Sequence, residues 1–435
     1  MLARVRSAAV LGIEGYLVEV EADLANGLPS FSTVGLAQGA VKEGRERVHA
    51  AIANAGFDPP LKRITVNLAP ADIKKDGSGF DLPIAVAILV ASGQLPDAAL
   101  DRILLIGELG LEGALRPIRG VISVALAARA AGLVSVIVPA ANAAEAALVE
   151  GIEVLGAESL AEVAAHLAGT GSLVPHRGNL AALLDGRAPE GVDFSEVRGQ
   201  PAAKRALEVA AAGGHNVLLI GPPGAGKTML ARRLATILPA PTLDEALETT
   251  RVHSVAGLLA PGHPLFVGRP FRAPHHTISD AGLIGGGSTP RPGEVSLAHG
   301  GVLFLDELPE FRRNVLEVLR QPLEDGVVTL SRAAVSLTYP ARFTLAAAMN
   351  PCPCGHAGDP TRDCRCDPGL VARYLARVSG PLLDRIDLQL RLPPVRPGDL
   401  AGEATEESSA VIRARVGLAR ARQLRRFAER PGLHA

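Results

Sequence analysis

Asn216-Val-Leu-Leu-Ile-Gly-Pro-Pro-Gly-Ala-Gly-Lys-Thr228, continuing as Met-Leu-Ala-Arg-Arg-Leu-Ala-Thr-Ile237, is the stretch that decides the fold. Asn216–Ile220 has the pattern of a buried strand and Thr228–Ile237 that of a helix. Gly221, Pro222, Pro223, Gly224, Ala225, Gly226, Lys227 and Thr228 therefore form a loop between a strand and a helix N-terminus. That is the context a phosphate-binding loop requires. The glycines let backbone N–H groups crowd around a phosphate, and the helix dipole favours the anion. Lys227 is placed to reach the β- and γ-phosphates of ATP, and the Thr228 hydroxyl to ligate Mg²⁺. The rival reading, a chance match in a glycine-rich chain, does not account for the strand and helix on either side.

Working outward, Gly301-Val-Leu-Phe-Leu-Asp-Glu307 is an apolar strand that ends in two carboxylates. Asp306 fits the Mg²⁺ shell, and Glu307 fits a group that polarises an attacking water. An acidic pair there could also cap a helix starting at Leu308. A third strand, Thr344–Met349, ends in Asn350, an amide able to sense a γ-phosphate; a turn-forming Asn before Pro351 is the alternative. Arg385 follows in Leu-Leu-Asp-Arg-Ile-Asp387. A guanidinium there can neutralise transition-state charge on a neighbouring subunit, or simply pair with Asp384 or Asp387.

The chain has 435 residues, enough for two or three domains, with 48% hydrophobic and 20% charged residues. Net charge is −1, which gives no global positive field, and aromatics make up 3%, which argues against a base-stacking platform as the main mode of nucleic-acid binding. The start is too short and too soon charged for a signal peptide. The most apolar stretches, among them Leu82–Ala91, fall short of a membrane span. A cytoplasmic protein with no membrane role is expected.

Three blocks separate. Residues 1–168 alternate strand-like runs (17–22, 63–68, 103–107, 133–139, 153–155) with helix-like ones (39–55, 120–131), the pattern of an α/β domain. Residues 169–191 read as an interdomain linker. A second α/β domain spans 192–397, and 398–435 carries one arginine-rich helix. All four cysteines of the chain, Cys352, Cys354, Cys364 and Cys366, are spaced C-x-C-x₉-C-x-C in a loop. Four thiolates suit a tetrahedral Zn²⁺ site, with His356 able to replace one of them. A redox-sensitive thiol pair, or cysteines without a role, remain open readings.

The four nucleotide-site elements in this order resemble an AAA+ ATPase, and Arg385 resembles the arginine finger of its magnesium-chelatase branch. "RPFRAPHHTISDAGLIGGGSTPRPGEVSLAHGG", "VNLAPADIKKDGSGFDLPIA", "GELGLEGALRPIRGV" and "AAMNPCPCG" extend the resemblance along the chain to Mg-chelatase-like AAA+ ATPases of the YifB/ComM family. The resemblance implies a hexameric, ATP- and Mg²⁺-dependent helicase that acts on single-stranded or branched DNA and drives branch migration in natural transformation. The alternative it leaves is a chelatase-type ATPase that remodels a protein partner without DNA.

In this branch a hairpin before the sensor strand points into the ring pore. Here 326–330 and 335–339 flank Ser331-Arg-Ala-Ala334, and Arg332 becomes the expected DNA-phosphate contact, or else an exposed turn arginine. Residues 1–168 resemble the Lon-protease-like fold (ribosomal S5 domain 2-like, α+β). The serine position of that pattern is filled by Gly79, with Ser78 one place early. Ile122 stands where the lysine belongs, so no peptidase activity is expected. That domain is expected to pack rings together or guide DNA, with Lys74, Lys75, Arg45 and Arg47 as basic contacts or else merely solvated side chains. The family's helical lid is expected to be truncated in this sequence, with weaker nucleotide retention as the consequence.

Overall fold

The computed structural model describes residues 1–75, 77–97, 100–178, 183, 191–287, 290–332, 335–360, 362–395 and 406–428. The chain divides into two compact units. Residues 1–183 and 253–265 form the first, and residues 184–252 and 266–435 the second.

The first unit is built on an eight-stranded mixed sheet. Its strands are β1 (Leu2–Leu11), β2 (Glu14–Ala25), β3 (Ser30–Val34), β4 (Arg63–Ala69), β5 (Ile103–Leu105), β8 (Ser135–Pro139), β9 (Glu153–Ala157) and β10 (Pro175–His176). The spatial order is β10-β9-β8-β5-β1-β2-β4-β3, and a separate small hairpin pairs β6 (Glu108–Leu109) with β7 (Leu115–Arg116). Long antiparallel ladders join β1 to β2 and β2 to β4. In β4, Ile64, Val66 and Leu68 turn inward while their neighbours do not, the period of a half-buried strand. The helix Asp81–Ala91 is buried along its whole length. A helix apolar on every side shows no 3.6-residue stripe, so the sequence offers only a uniformly apolar run there.

The expected helices at 39–55 and 120–131 are Ala40–Asn54 and Val121–Ala130. β1 was not expected, and β10 falls inside the stretch read as a linker. Within that stretch, residues 179–182 and 184–190 lie outside the described residues. Residues 253–265 join the first unit through Ser254. Its hydroxyl accepts from Gly120 N at 2.9 Å and donates to the buried Glu145 carboxylate.

The second unit holds a five-stranded, all-parallel sheet in the order β12-β15-β18-β11-β19. These strands are β11 (Val217–Ile220), β12 (Phe271–Arg272), β15 (Val302–Leu305), β18 (Thr344–Met349) and β19 (Leu388–Arg391). Alternate residues of the central strands feed two cores. Val217, Leu219, Val302, Phe304, Ala346 and Ala348 face one. Leu218, Leu303, Leu305, Leu345, Ala347 and Met349 face the other. A sheet buried on both faces must be covered by helices on both, as parallel sheets are.

Two short pairs complete the unit: β13 (Gly285–Gly286) with β14 (Arg291–Pro292), and the hairpin β16 (Val327–Arg332) with β17 (Val335–Pro340). The arginine-rich helix is Ser409–Arg426, capped by Ser408, with Ile412 and Val416 packed into the first of these cores. Residues 398–405 and 429–435 of the expected lid lie outside the described residues. No helix among the described residues is long and apolar enough to cross a membrane.

Candidate functional site

β11 ends at Ile220, and the loop from Gly221 to Gly226 delivers the chain into the helix Lys227–Ile237. Gly224 (φ 80°) and Gly226 (φ 84°) take left-handed backbone, and a side chain at either would meet nothing within 4 Å. Glycine is therefore favoured there by conformation, and the space beside both positions is open. The Lys227 ammonium donates to the carbonyls of Gly221 (2.7 Å) and Pro222 (3.0 Å) and to Asn350 Oδ1 (3.0 Å). Burial pushes this amine down, and the charges of Asp306 and Glu307 pull it back up.

Thr228 Oγ1 donates to Asp306 Oδ2 at 2.7 Å, so the two expected Mg²⁺ ligands lie within one hydrogen bond of each other. Asp306 Oδ1 accepts from Glu307 N at 3.0 Å. Glu307 itself sits in left-handed backbone, φ 53° and ψ 47°. For a residue with a side chain that is a costly conformation, of the kind that gathers at functional sites. β11, β15 and β18 run parallel, so Gly221, Asp306 and Asn350 all emerge at one end of the sheet. These groups fit a nucleotide with its magnesium ion.

Arg385 is elsewhere. β19 pairs with β11 with Leu388 opposite Val217 and Arg391 opposite Ile220. Arg385 precedes β19, whereas the loop follows β11, so the two occupy opposite ends of strands spanning roughly 13 Å at the usual rise. Arg385 therefore lies at the end of the sheet opposite the loop of its own chain. Its ion-pair partner is Glu324, neither Asp384 nor Asp387. Asp387 instead accepts from Asn216 N at 2.8 Å. Arg332 ends β16 and pairs with Val335, placing it in the strand beside the connection and not at the centre of a four-residue turn. Its side chain lies outside the described residues, as do residues 333–334.

The four cysteines converge. Their sulfurs all lie within 4.8 Å of one another, with Cys352–Cys354 at 3.4 Å and both Cys352–Cys364 and Cys354–Cys364 at 3.7 Å. A tetrahedron of thiolates at ordinary Zn–S distances requires about 3.8 Å between sulfurs. Backbone N–H groups of His356 and Arg365 hold the Cys354 thiol down to about 6, which favours the thiolate a metal needs. His356 is paired with Asp359 (3.3 Å), leaving the four sulfurs as the natural donor set. The loop touches the nucleotide cradle: a side chain at Gly355 would come within 2.6 Å of Pro223.

Sequence reasoning missed His276, whose Nδ1 lies 3.4 Å from Glu307 Oε2. It also missed Asn216, which donates through Nδ2 to Arg385 O (2.8 Å) and accepts from Leu345 N (2.8 Å). These partners are distant in sequence; only the strand-end position of Asn216 hinted at a role.

In the first unit, Ser78 donates its hydroxyl to the Glu108 carboxylate, and Ile122 is fully buried. Two of the expected basic contacts are corrected. Lys75 is 0% exposed, and Arg47 is engaged bidentately by Asp81 (2.7 and 3.1 Å). The Asp81 carboxylate takes up the Arg47 charge, and Lys75 Nζ is buried without a hydrogen-bond partner among the described residues.

Residues 193–400 match the model of the family described as magnesium chelatase, subunit ChlI, and residues 20–142 that of subunit ChlI of Mg-chelatase. The chain is 48% identical over 428 residues to the uncharacterized protein YifB of Salmonella typhimurium, covering 98% of this chain and 83% of that protein. It is 46% identical over 428 residues to the competence protein ComM of Haemophilus influenzae, with the same coverage of 98% and 83%. A shorter match, 32% identical over 157 residues, links 33% of this chain to 27% of Lon protease 2 of Bacillus subtilis. With its parallel sheet, its phosphate loop and this near-full-length identity, the chain belongs to the YifB/ComM family of Mg-chelatase-like AAA+ proteins.

Proposed function

We propose that the chain is an ATP-hydrolysing, ring-forming motor that acts on single-stranded or branched DNA and drives branch migration in recombination or natural transformation. The observation that carries this reading is the split site: Lys227, Thr228, Asp306, Glu307 and Asn350 gather at one end of the sheet, with Arg385 at the other. A site completed by a neighbour's arginine makes turnover depend on assembly, and a hexamer closes such head-to-tail contacts.

ATP with Mg²⁺ supplies the transferable phosphoryl group and the charge that polarises it. The loop amides and Lys227 bind and orient phosphate oxygens, Thr228 and Asp306 hold the cation, and Glu307 takes the proton of the attacking water. Asn350, hydrogen-bonded to Lys227, is positioned to follow the γ-phosphate. The hairpin β16–β17 carries Arg332 toward DNA phosphates, giving salt-dependent and sequence-independent binding. The likeness to ComM, a competence protein, favours DNA over a protein partner.

The cysteine cluster holds zinc in this reading, supported by its sulfur spacing. The first unit is a Lon-protease-like domain without peptidase activity, since Ser78 has a carboxylate partner and no lysine stands at position 122.

The test is ATP hydrolysis with and without forked or Holliday-junction DNA at stated salt, alongside junction binding. Stimulated turnover and binding that weakens as salt rises are expected. Absence of DNA binding at low salt, with ATPase intact, would remove the DNA motor and leave the protein-remodelling reading.

A further inference from the structure

Arg385 lies between the short helix Gly380–Leu383 and β19, and its placement is over-determined. Its carbonyl accepts from Asn216, its Nη1 donates to Pro381 O at 3.0 Å, and its Nη2 meets the Glu324 carboxylate. Its Nε is buried without a hydrogen-bond partner among the described residues. The Glu324 and Arg385 side chains remain 47% and 29% exposed. An ion pair that open adds little to stability, so its consequence is the aim of the guanidinium.

Glu324 belongs to the helix Arg320–Asp325, which ends at Gly326 in left-handed backbone (φ 66°) and turns directly into β16. The root of the hairpin is firmly tied. Gly326 N donates to Pro322 O at 2.9 Å, Ala341 N donates to Gly326 O at 2.8 Å, and Val328 and Tyr339 are buried beneath. The carboxylate that holds Arg385 is thus two residues from the hinge of the hairpin proposed to meet DNA.

We propose that Glu324 is a positioning residue: it aims Arg385 at the neighbouring subunit's nucleotide and ties that aim to the state of the β16–β17 hairpin. This rests on the reading of Arg385 as acting in trans. Strand engagement at the hairpin would reset Arg385 through the Gly326 hinge, which couples nucleic acid to hydrolysis without any contact between DNA and the nucleotide.

The experiment uses the full chain, ATP, Mg²⁺ and a single-stranded oligonucleotide, with Glu324→Gln, Glu324→Asp, Arg385→Ala and the double variant Glu324→Gln/Arg385→Ala. Glu324→Gln is expected to lower kcat about tenfold with KM for ATP unchanged, and to erase stimulation by the oligonucleotide. Its thermal midpoint should stay at the parental value, and Glu324→Asp should recover part of the stimulation. The double variant should be no slower than Arg385→Ala alone, because both changes remove one interaction.

Parental kcat and stimulation in Glu324→Gln, or additive losses in the double variant, overturn the inference while a slow Arg385→Ala leaves the trans reading standing. Parental turnover in Arg385→Ala overturns both. A parent whose turnover ignores the oligonucleotide overturns the coupling.

Discussion

Two glycine-bearing loops lead into helices in this chain, and they have had opposite fates. In the second unit the loop from Gly221 to Thr228 takes left-handed backbone at Gly224 and Gly226, with Lys227 and Thr228 joined to Asn350 and Asp306 across strand ends. In the first unit the loop around Gly77 and Ser78 leads into the buried helix Asp81–Ala91, and its surroundings hold two polar pairs and one buried amine with no hydrogen-bond partner among the described residues. Ser78 meets Glu108, Arg47 clamps Asp81, and the Lys75 amine is buried, so that burial pushes its pKa down. The groups of the second unit's loop reach one another across the ends of one parallel sheet, whereas Lys75 and Asp81 of the first unit are buried.

The comparison can be broken first at the nucleotide loop. Lys227→Ala, or Glu307→Gln, should lower ATP turnover by about 100-fold or more, with Glu307→Gln still binding nucleotide in equilibrium titration. Turnover near the parental rate in both would contradict the hydrolytic reading of that loop.

The cysteine loop comes next in expected size. Metal analysis should find about one zinc per chain, and Cys352→Ser should lose it, destabilise the second unit by about 2–5 kcal/mol in chemical unfolding and reduce turnover. The contact between Gly355 and Pro223 is the route by which that loss reaches the cradle. Metal content near zero in protein prepared without chelators contradicts the site.

A smaller effect sharpens the other side. Burial pushes Asp81 up to about 6, with Arg47 pulling it down against that trend. The folded unit therefore holds this proton more tightly than the unfolded chain does. The resulting stability is fully present below the ordinary carboxylate range and is lost as pH rises through about 6. Unfolding free energy of the parent relative to Asp81→Asn should fall by about 1–3 kcal/mol between pH 4 and pH 7. A flat difference across that window would mean that Arg47 dominates.

The smallest effect expected is none: Ser78→Ala should leave protein hydrolysis at background and ATP turnover at the parental rate. Hydrolysis of an unfolded protein by the parent, lost in Ser78→Ala, would make the first unit a peptidase.

The strand–loop–helix turn was legible because its information is local: strand, glycines, lysine and helix follow within Asn216–Ile237. The terminal carboxylates of β15 and the amide after β18 were legible for the same reason, each closing an apolar run. The hairpin was legible in outline, and the four cysteines as a cluster. What stayed hidden depends on tertiary pairing. Glu324 for Arg385, His276 for Glu307 and Glu108 for Ser78 come from other elements, and no spacing rule announces them. The helix Asp81–Ala91 was hidden for a different reason, since complete burial erases the periodicity that would reveal it. The joining of residues 253–265 to the first unit follows from Ser254 finding Gly120 and Glu145, more than a hundred positions upstream.

The central claim, a nucleotide site shared between subunits, is tested most directly by mixing. Lys227→Ala and Arg385→Ala chains, each slow alone, should recover about a quarter of parental ATP turnover when assembled together at equal amounts. In head-to-tail rings, one contact in four then unites an intact Lys227 with an intact Arg385. A mixture as slow as its components, from chains that demonstrably co-assemble, would contradict the shared site.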